Sequence, residues 1–156
     1  MELKFLADHE DAIPTIAKWY YNEWGYREPE NSFEKTCERI GGKLTRDKVP
    51  LHIVAVEDDN VLGAAQLKLY EMDIYPDKEY WLGSVYVAPS ARGRKVASQL
   101  CERIVDIARS FNIPTLYLQT ERIDDGGLYA RLGWKPIEQV HYDGLDVLVM
   151  QRHLSE

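Results

Sequence analysis

Cysteine is nearly missing from this chain: Cys37 and Cys101 are the only two among 156 residues. Without metal-ligand spacing, and at apolar positions of expected helices, they read as core filling. The four histidines, His9, His52, His141 and His153, show no ligand spacing either, so no metal site is expected. No stretch approaches the roughly 18 apolar residues of a membrane span. Met1 to Ala7 carries one lysine and no apolar run with a small-residue cleavage site. No signal peptide is therefore expected, and a cytoplasmic location is the default. Positive charge is in deficit: 19 basic against 26 acidic side chains, a net charge of −7. That argues against a nucleic-acid partner, which wants a basic face, and mildly favours a cationic one. A Gly-x-Gly-x-x-Gly fingerprint and a Walker loop are both absent, which counts against a nucleotide-binding module. There is no repeat, low-complexity segment or linker, so residues 1–156 read as one domain.

What is present is ample apolar material, 45% of the residues, against 29% charged. Its periodicity changes along the chain. Glu2 to Leu6 reads as a short strand. Ile13, Ile16, Ala17, Tyr20 and Trp24 fall on one helical face over about 11–24, with Pro14 in the first turn. Phe33, Cys37, Ile40 and Leu44 mark a second helix over about 32–44, with Asn31 and Glu34 expected as a capping box. Two β-branched-rich runs, 51–57 and 61–70, flank the turn residues Asp58-Asp59-Asn60. Residues 71–79 read as a polar loop and 80–87 as a strong strand ended by Pro89. After the turn Ser90-Ala91-Arg92-Gly93-Arg94, a helix to about Phe111 carries Val96, Leu100, Ile104, Ile107, Ala108 and Phe111 on one face. A strand at 115–119 follows, then a short helix at 124–132 that Gly126-Gly127 is expected to start late. The last strands, 135–142 and 145–153, flank Asp143-Gly144, a hairpin turn. The order is β-α-α-β-β-β-α-β-α-β-β, an α/β (α+β) arrangement around a mixed sheet. The strands at 80–87 and 115–119 should run parallel through a right-handed crossover. Ligands of such sheets bind at the carboxyl ends of strands where the order splits. That points to Val87, the basic turn and the stretch after Gln119.

The turn Arg92-Gly93-Arg94-Lys95-Val96-Ala97-Ser98 opens a helix. Free N–H groups at a helix start, the helix dipole and three basic side chains suit a pyrophosphate. This turn, the preceding Val85-Tyr86-Val87-Ala88-Pro89 and the later Tyr129-Ala130-Arg131-Leu132-Gly133-Trp134 resemble the GCN5-related N-acetyltransferase (GNAT) superfamily. The resemblance covers most of the chain and is sharpest from Trp81 to Trp134. It implies an acyl-CoA N-acyltransferase-like fold of about seven strands and four helices. It further implies acetyl-CoA as co-substrate and a small-molecule or peptide amine as acceptor.

The family's loop, Arg/Gln-x-x-Gly-x-Gly/Ala, maps onto Arg92, Lys95 and Ala97, so a lysine stands where the family has its first glycine. Lys95 is read as compatible with helical φ/ψ; its ammonium either pairs with the phosphates or crowds them. By the resemblance, Gly93, Arg94, Val96 and Ser98 complete the pyrophosphate loop. Val85, Tyr86 and Val87 line the pantetheine arm, and Tyr129 is the general acid. A phenol is protonated at neutral pH and suited to that role. For the base, Glu71, Asp73, Glu79 and Glu121 are candidates, with Glu121 preferred for its place after the fifth strand. The aromatic group Trp19, Tyr20, Tyr21, Trp24 and Tyr26 reads either as helix packing or as the lining of an acceptor pocket. The expected reaction is direct N-acetylation in a ternary complex. The alternative is a non-catalytic acyl-CoA-binding or regulatory module of the same fold. A homodimer is left open.

Overall fold

A computed structural model describes residues 1–154. The chain runs β1 (Glu2–Phe5), α1 (Ile13–Glu23), α2 (Phe33–Gly41), β2 (Leu51–Glu57), β3 (Asn60–Leu69), β4 (Tyr80–Val87), α3 (Val96–Ser110), β5 (Thr115–Thr120), α4 (Gly127–Arg131), β6 (Lys135–Tyr142) and β7 (Leu145–His153). Short 3-10 turns link several of them. The seven strands form one sheet in the order β1-β2-β3-β4-β5-β7-β6. All pairings are antiparallel except β4 with β5, which are parallel as the crossover requires. Among the described residues, no helix is long and apolar enough to cross a membrane.

Alternation along β2 shows how the layers form. Leu51, Ile53 and Ala55 join the main core, built on Leu100, Cys101, Ile104 and Val105 of α3. Val54 and Val56 face the other way and join Ile16, Ala17, Tyr20 and Ile40 of α1 and α2. The sheet is thus covered on both faces. A third, smaller cluster places Met72, fully buried in the loop after β3, against Trp81, Val147 and Val149.

Several expected boundaries move for local reasons. The second helix is shorter than its periodicity, ending at Gly41, and Leu44 packs from beyond it. Its cap is Ser32, whose hydroxyl accepts from the Lys35 N–H at 3.1 Å, rather than Asn31 with Glu34. Asn31 instead accepts from Arg39 and donates to the Gly25 carbonyl. The short helix α4 does start late: Gly126 and Gly127 both take positive φ, and Asp125 accepts from the Gly127 N–H at 2.9 Å. Cys101 is buried as expected, whereas Cys37 is half-buried.

Candidate active site

β4 and β5 meet at a single register pair, Trp81 with Tyr117. Beyond it β4 bends away. Its register with β3 slips between Ala64 and Gln66, and Ser84 sits in the left-handed region at φ 52°. This is a β-bulge, which bends the bulged strand and increases its twist. Tyr20 of α1 pins it: its buried hydroxyl donates to the Ser84 carbonyl at 2.8 Å. Burial pushes the Tyr20 phenol far above its ordinary pKa, so it stays a donor. A central strand should be covered on both edges. Here the residues from Gly83 to Ala88 are only half-buried, because the β5 side has opened. Backbone groups left without a strand partner must find another. The sheet therefore parts between β4 and β5 beyond that pair, leaving a gap toward the strands' carboxyl ends.

The basic turn stands at the mouth of the gap. Gly93 has φ 83°, and the space where its side chain would lie is open. Lys95 is the residue before α3, with φ 63° and ψ 24°. This corrects the helical reading of Lys95. The position is left-handed, the conformation that glycine adopts without a Cβ penalty. No side chain caps α3, so its first N–H groups remain free for an anion. Ala97 and Ser98 are half-buried at its start, while Val96 is buried and fills core.

The two arginines of the turn are already engaged. Arg92 Nε donates to the Val87 carbonyl at 3.1 Å, and its guanidinium lies 5.6 Å from the Tyr86 ring centroid. Arg94 forks onto both oxygens of Glu57, at 2.8 and 2.9 Å. That pair holds Glu57 below the usual carboxylate range. These residues, with the free edge of β4, fit a group that combines a pyrophosphate and an extended amide arm. Arg94 must leave Glu57 to take part.

Around the parting of β4 and β5 the structure brings together residues that the sequence only partly marked. Glu71 follows β3 and is nearly buried. Lys68 Nζ lies 2.8 Å from its Oε1, and Gln119 Nε2 of β5 donates to its Oε2 at 3.1 Å. Tyr129 packs edge-on against Trp134, with ring centroids 6.5 Å apart. Burial raises the Tyr129 pKa well above that of an ordinary phenol, and the nearby Cys101 and Glu71 add to the shift. Glu121, by contrast, is exposed past the end of β5; its carbonyl accepts from the Ile123 N–H. Asp73 is engaged with the Tyr142 hydroxyl at 3.1 Å. Burial pushes the Cys101 thiol up to about 12 and also raises Cys37, so neither is a ready nucleophile.

The aromatic group divides. Tyr20 is buried, Trp19 stacks on Tyr86 at 5.0 Å, and Trp24 meets the edge of Tyr86 at 6.4 Å. Tyr26 is 60% exposed. Next to it Arg27 donates to the Asp143 carbonyl at 2.8 Å, joining the α1–α2 connection to the β6–β7 turn. Sequence reasoning missed Lys68, Gly83 and Gln119. A glycine within a strand is the one signal that could have found any of them.

A mixed sheet that parts at its parallel strand pair, with a basic helix-opening turn at the mouth, defines the acyl-CoA N-acyltransferase fold. The chain belongs to the acetyltransferase (GNAT) family, whose model matches residues 13–134. Solved structures agree on the fold. An N-acetyltransferase from Staphylococcus aureus Mu50 superposes with a TM-score of 0.76 at 19% identity, over 99% of this chain and 98% of that one. An aminoglycoside 6'-N-acetyltransferase complexed with coenzyme A gives 0.74 at 15% identity, over 100% and 98%. The protein yncA of Salmonella typhimurium, solved with its cofactor acetyl-CoA, gives 0.73 at 19% identity, over 100% and 95%.

Proposed function

We propose that this protein transfers an acetyl group from acetyl-CoA to the nitrogen of an amine by direct attack, with Glu71 as base and Tyr129 as acid. What supports this reading is the parting of β4 from β5 beyond a single pair, with Glu71 held by Lys68 and Gln119 and with Tyr129 buried near enough to feel the Glu71 charge. An aliphatic amine has a pKa near 10 and arrives as an ammonium. Glu71 receives its proton, directly or through one water. The nitrogen then forms the C–N bond as the C–S bond breaks, Tyr129 gives its proton to the departing thiolate, and water takes the second proton from the acylated nitrogen. The amide and free CoA are the products, and solvent re-equilibrates both side chains. The raised thiols of Cys101, in the core, and of half-buried Cys37 support transfer without a cysteinyl intermediate.

Assigning the base to Glu71 in place of Glu121 rests on burial and position. A carboxylate beside the gap can reach a proton there, whereas an exposed one beyond the strand is solvated. The acceptor class is a cationic amine. Long-range attraction from a net charge of −7 favours it, and one similar fold belongs to an enzyme acting on aminoglycosides.

The test is free-thiol release from acetyl-CoA across a panel of polyamines, aminoglycosides, amino acids and peptides. Release with at least one cationic amine, abolished to about 1% or less by Glu71→Gln, is expected. Tight acetyl-CoA binding with no release from any amine would support the acyl-CoA-binding module instead.

A further inference from the structure

Gly83 lies in the middle of β4, and its backbone does not need glycine, because it is not among the positive-φ residues. Glycine weakens a strand interior, so some other requirement holds it there. A Cβ built on Gly83 would overlap Glu71 Oε1 and stand 2.6 Å from Lys68 Cδ and 3.4 Å from Glu71 Cδ. The Glu71 side chain therefore lies across β4 at the one strand position that has no side chain. Its two donors come from either side of that strand, Lys68 from β3 at 2.8 Å and Gln119 from β5 at 3.1 Å. Each carboxylate oxygen thus has one fixed donor and keeps lone pairs for a further proton or water.

We infer that Gly83, Lys68 and Gln119 are positioning residues for Glu71: Gly83 supplies the clearance, and the other two clamp the carboxylate at the gap. The inference rests on the reading of Glu71 as base. Gly83→Ala introduces one methyl group where the carboxylate lies. The ends of the Glu71 and Lys68 side chains are the mobile partners in those contacts, so both swing away and the strand keeps its register. A displacement on the order of 1 Å is enough to cost about 10²-fold in turnover. Gln119→Leu removes one clamp donor and acts in the same direction.

The experiment is a double-mutant cycle with acetyl-CoA and an amine found in the thiol-release screen, joined to NMR of the side-chain ¹³C carboxyls. Gly83→Ala and Gln119→Leu are each expected to lower kcat by about 10- to 100-fold while calorimetric affinity for acetyl-CoA stays within about twofold. In the Glu71→Gln background each should add less than about twofold, because there is no base left to misplace. Lys68→Arg should retain more turnover than Lys68→Met. Equal losses in both backgrounds would mean that these residues act on the strand and not through Glu71, and the inference falls. If Glu71→Gln keeps full turnover, the base reading fails by itself. The clamp is then judged by the Glu71 carboxyl resonance, which must move in Gly83→Ala and in Gln119→Leu. An unmoved resonance overturns it.

Discussion

Lys95→Gly separates the backbone of the cofactor turn from its charge. Lys95 holds φ 63° and ψ 24° at the entry to α3. An L-residue in that region costs roughly 1–2 kcal/mol. Glycine removes the cost but returns about 0.5–1 kcal/mol through the greater freedom of the unfolded chain. The net expectation is a gain of roughly 0.5–1 kcal/mol. For a domain of this size 1 kcal/mol moves the melting temperature by about 2–4 °C. Calorimetric melts of the two ligand-free proteins should therefore differ by about 1–4 °C, with the glycine variant higher. Titration with acetyl-CoA at several salt concentrations adds the second half. Lys95 is the residue at the uncapped start of α3, so loss of its ammonium should flatten the salt dependence of binding. A melting temperature that is unchanged or lower refutes the backbone argument. An unchanged salt dependence refutes only the pairing of the ammonium with phosphate.

Three further outcomes follow from the same geometry. Tyr129→Phe should lower turnover by about 10²-fold with little change in KM for acetyl-CoA; because burial holds the phenol's pKa well above its usual value, the wild type should show no alkaline fall between pH 6 and 10. A fall that sets in near pH 10 and vanishes in the variant would show the hydroxyl to be solvated. Arg92→Glu should weaken acetyl-CoA binding by about 1.5–3 kcal/mol, read by calorimetry; undiminished affinity would remove Arg92 from the site. His52 is 2% exposed with both ring nitrogens unpaired, and burial, with Lys43 and Lys68 nearby, lowers its pKa to about 3. The unfolded chain then binds the extra proton first, so stability is full above about pH 6.5 and falls as pH drops toward 3. Denaturant unfolding of His52→Leu should show a shallower acid slope and about 1–3 kcal/mol more stability at pH 7; an unchanged slope would place the ring in contact with solvent.

Much of the fold was legible in the sequence because its signals are local. The bounds of β4 can be read directly from the apolar run Tyr80–Val87 and the proline beyond it. The β2–β3 turn is visible as Asp58-Asp59, both of which adopt positive φ. The apolar face of α3 is buried at Val96, Leu100, Ile104, Ile107 and Ala108, while Val105 is buried beside it and Phe111, just past the helix, is half-buried. The capping residue of α2 was not legible. Asn31 and Ser32 are both good caps, but Asn31 is taken up by Arg39, further along the same helix, and by the Gly25 carbonyl.

The candidate site divides along the same line. The basic turn is contiguous, so its composition announces it. The carboxylate is not: Glu71 looks like any loop glutamate until β3, β4 and β5 fold beside it. What selects it is a set of relations that no window of sequence contains. Lys68 is three residues before it, Gly83 twelve after, and Gln119 forty-eight after. Position after the fifth strand favoured Glu121, because that rule assumes catalysis gathers where strands end. The bulge at Ser84 changes the premise. By turning β4 away from β5 just past Trp81, it moves the opening of the sheet down into the middle of the strand. In the proposed reading a carboxylate lying across the strand borders the gap, while Glu121 stands exposed beyond the strand's end. The bend in β4 and the identity of the base are therefore one question, and a residue that straightened the bulge should move both.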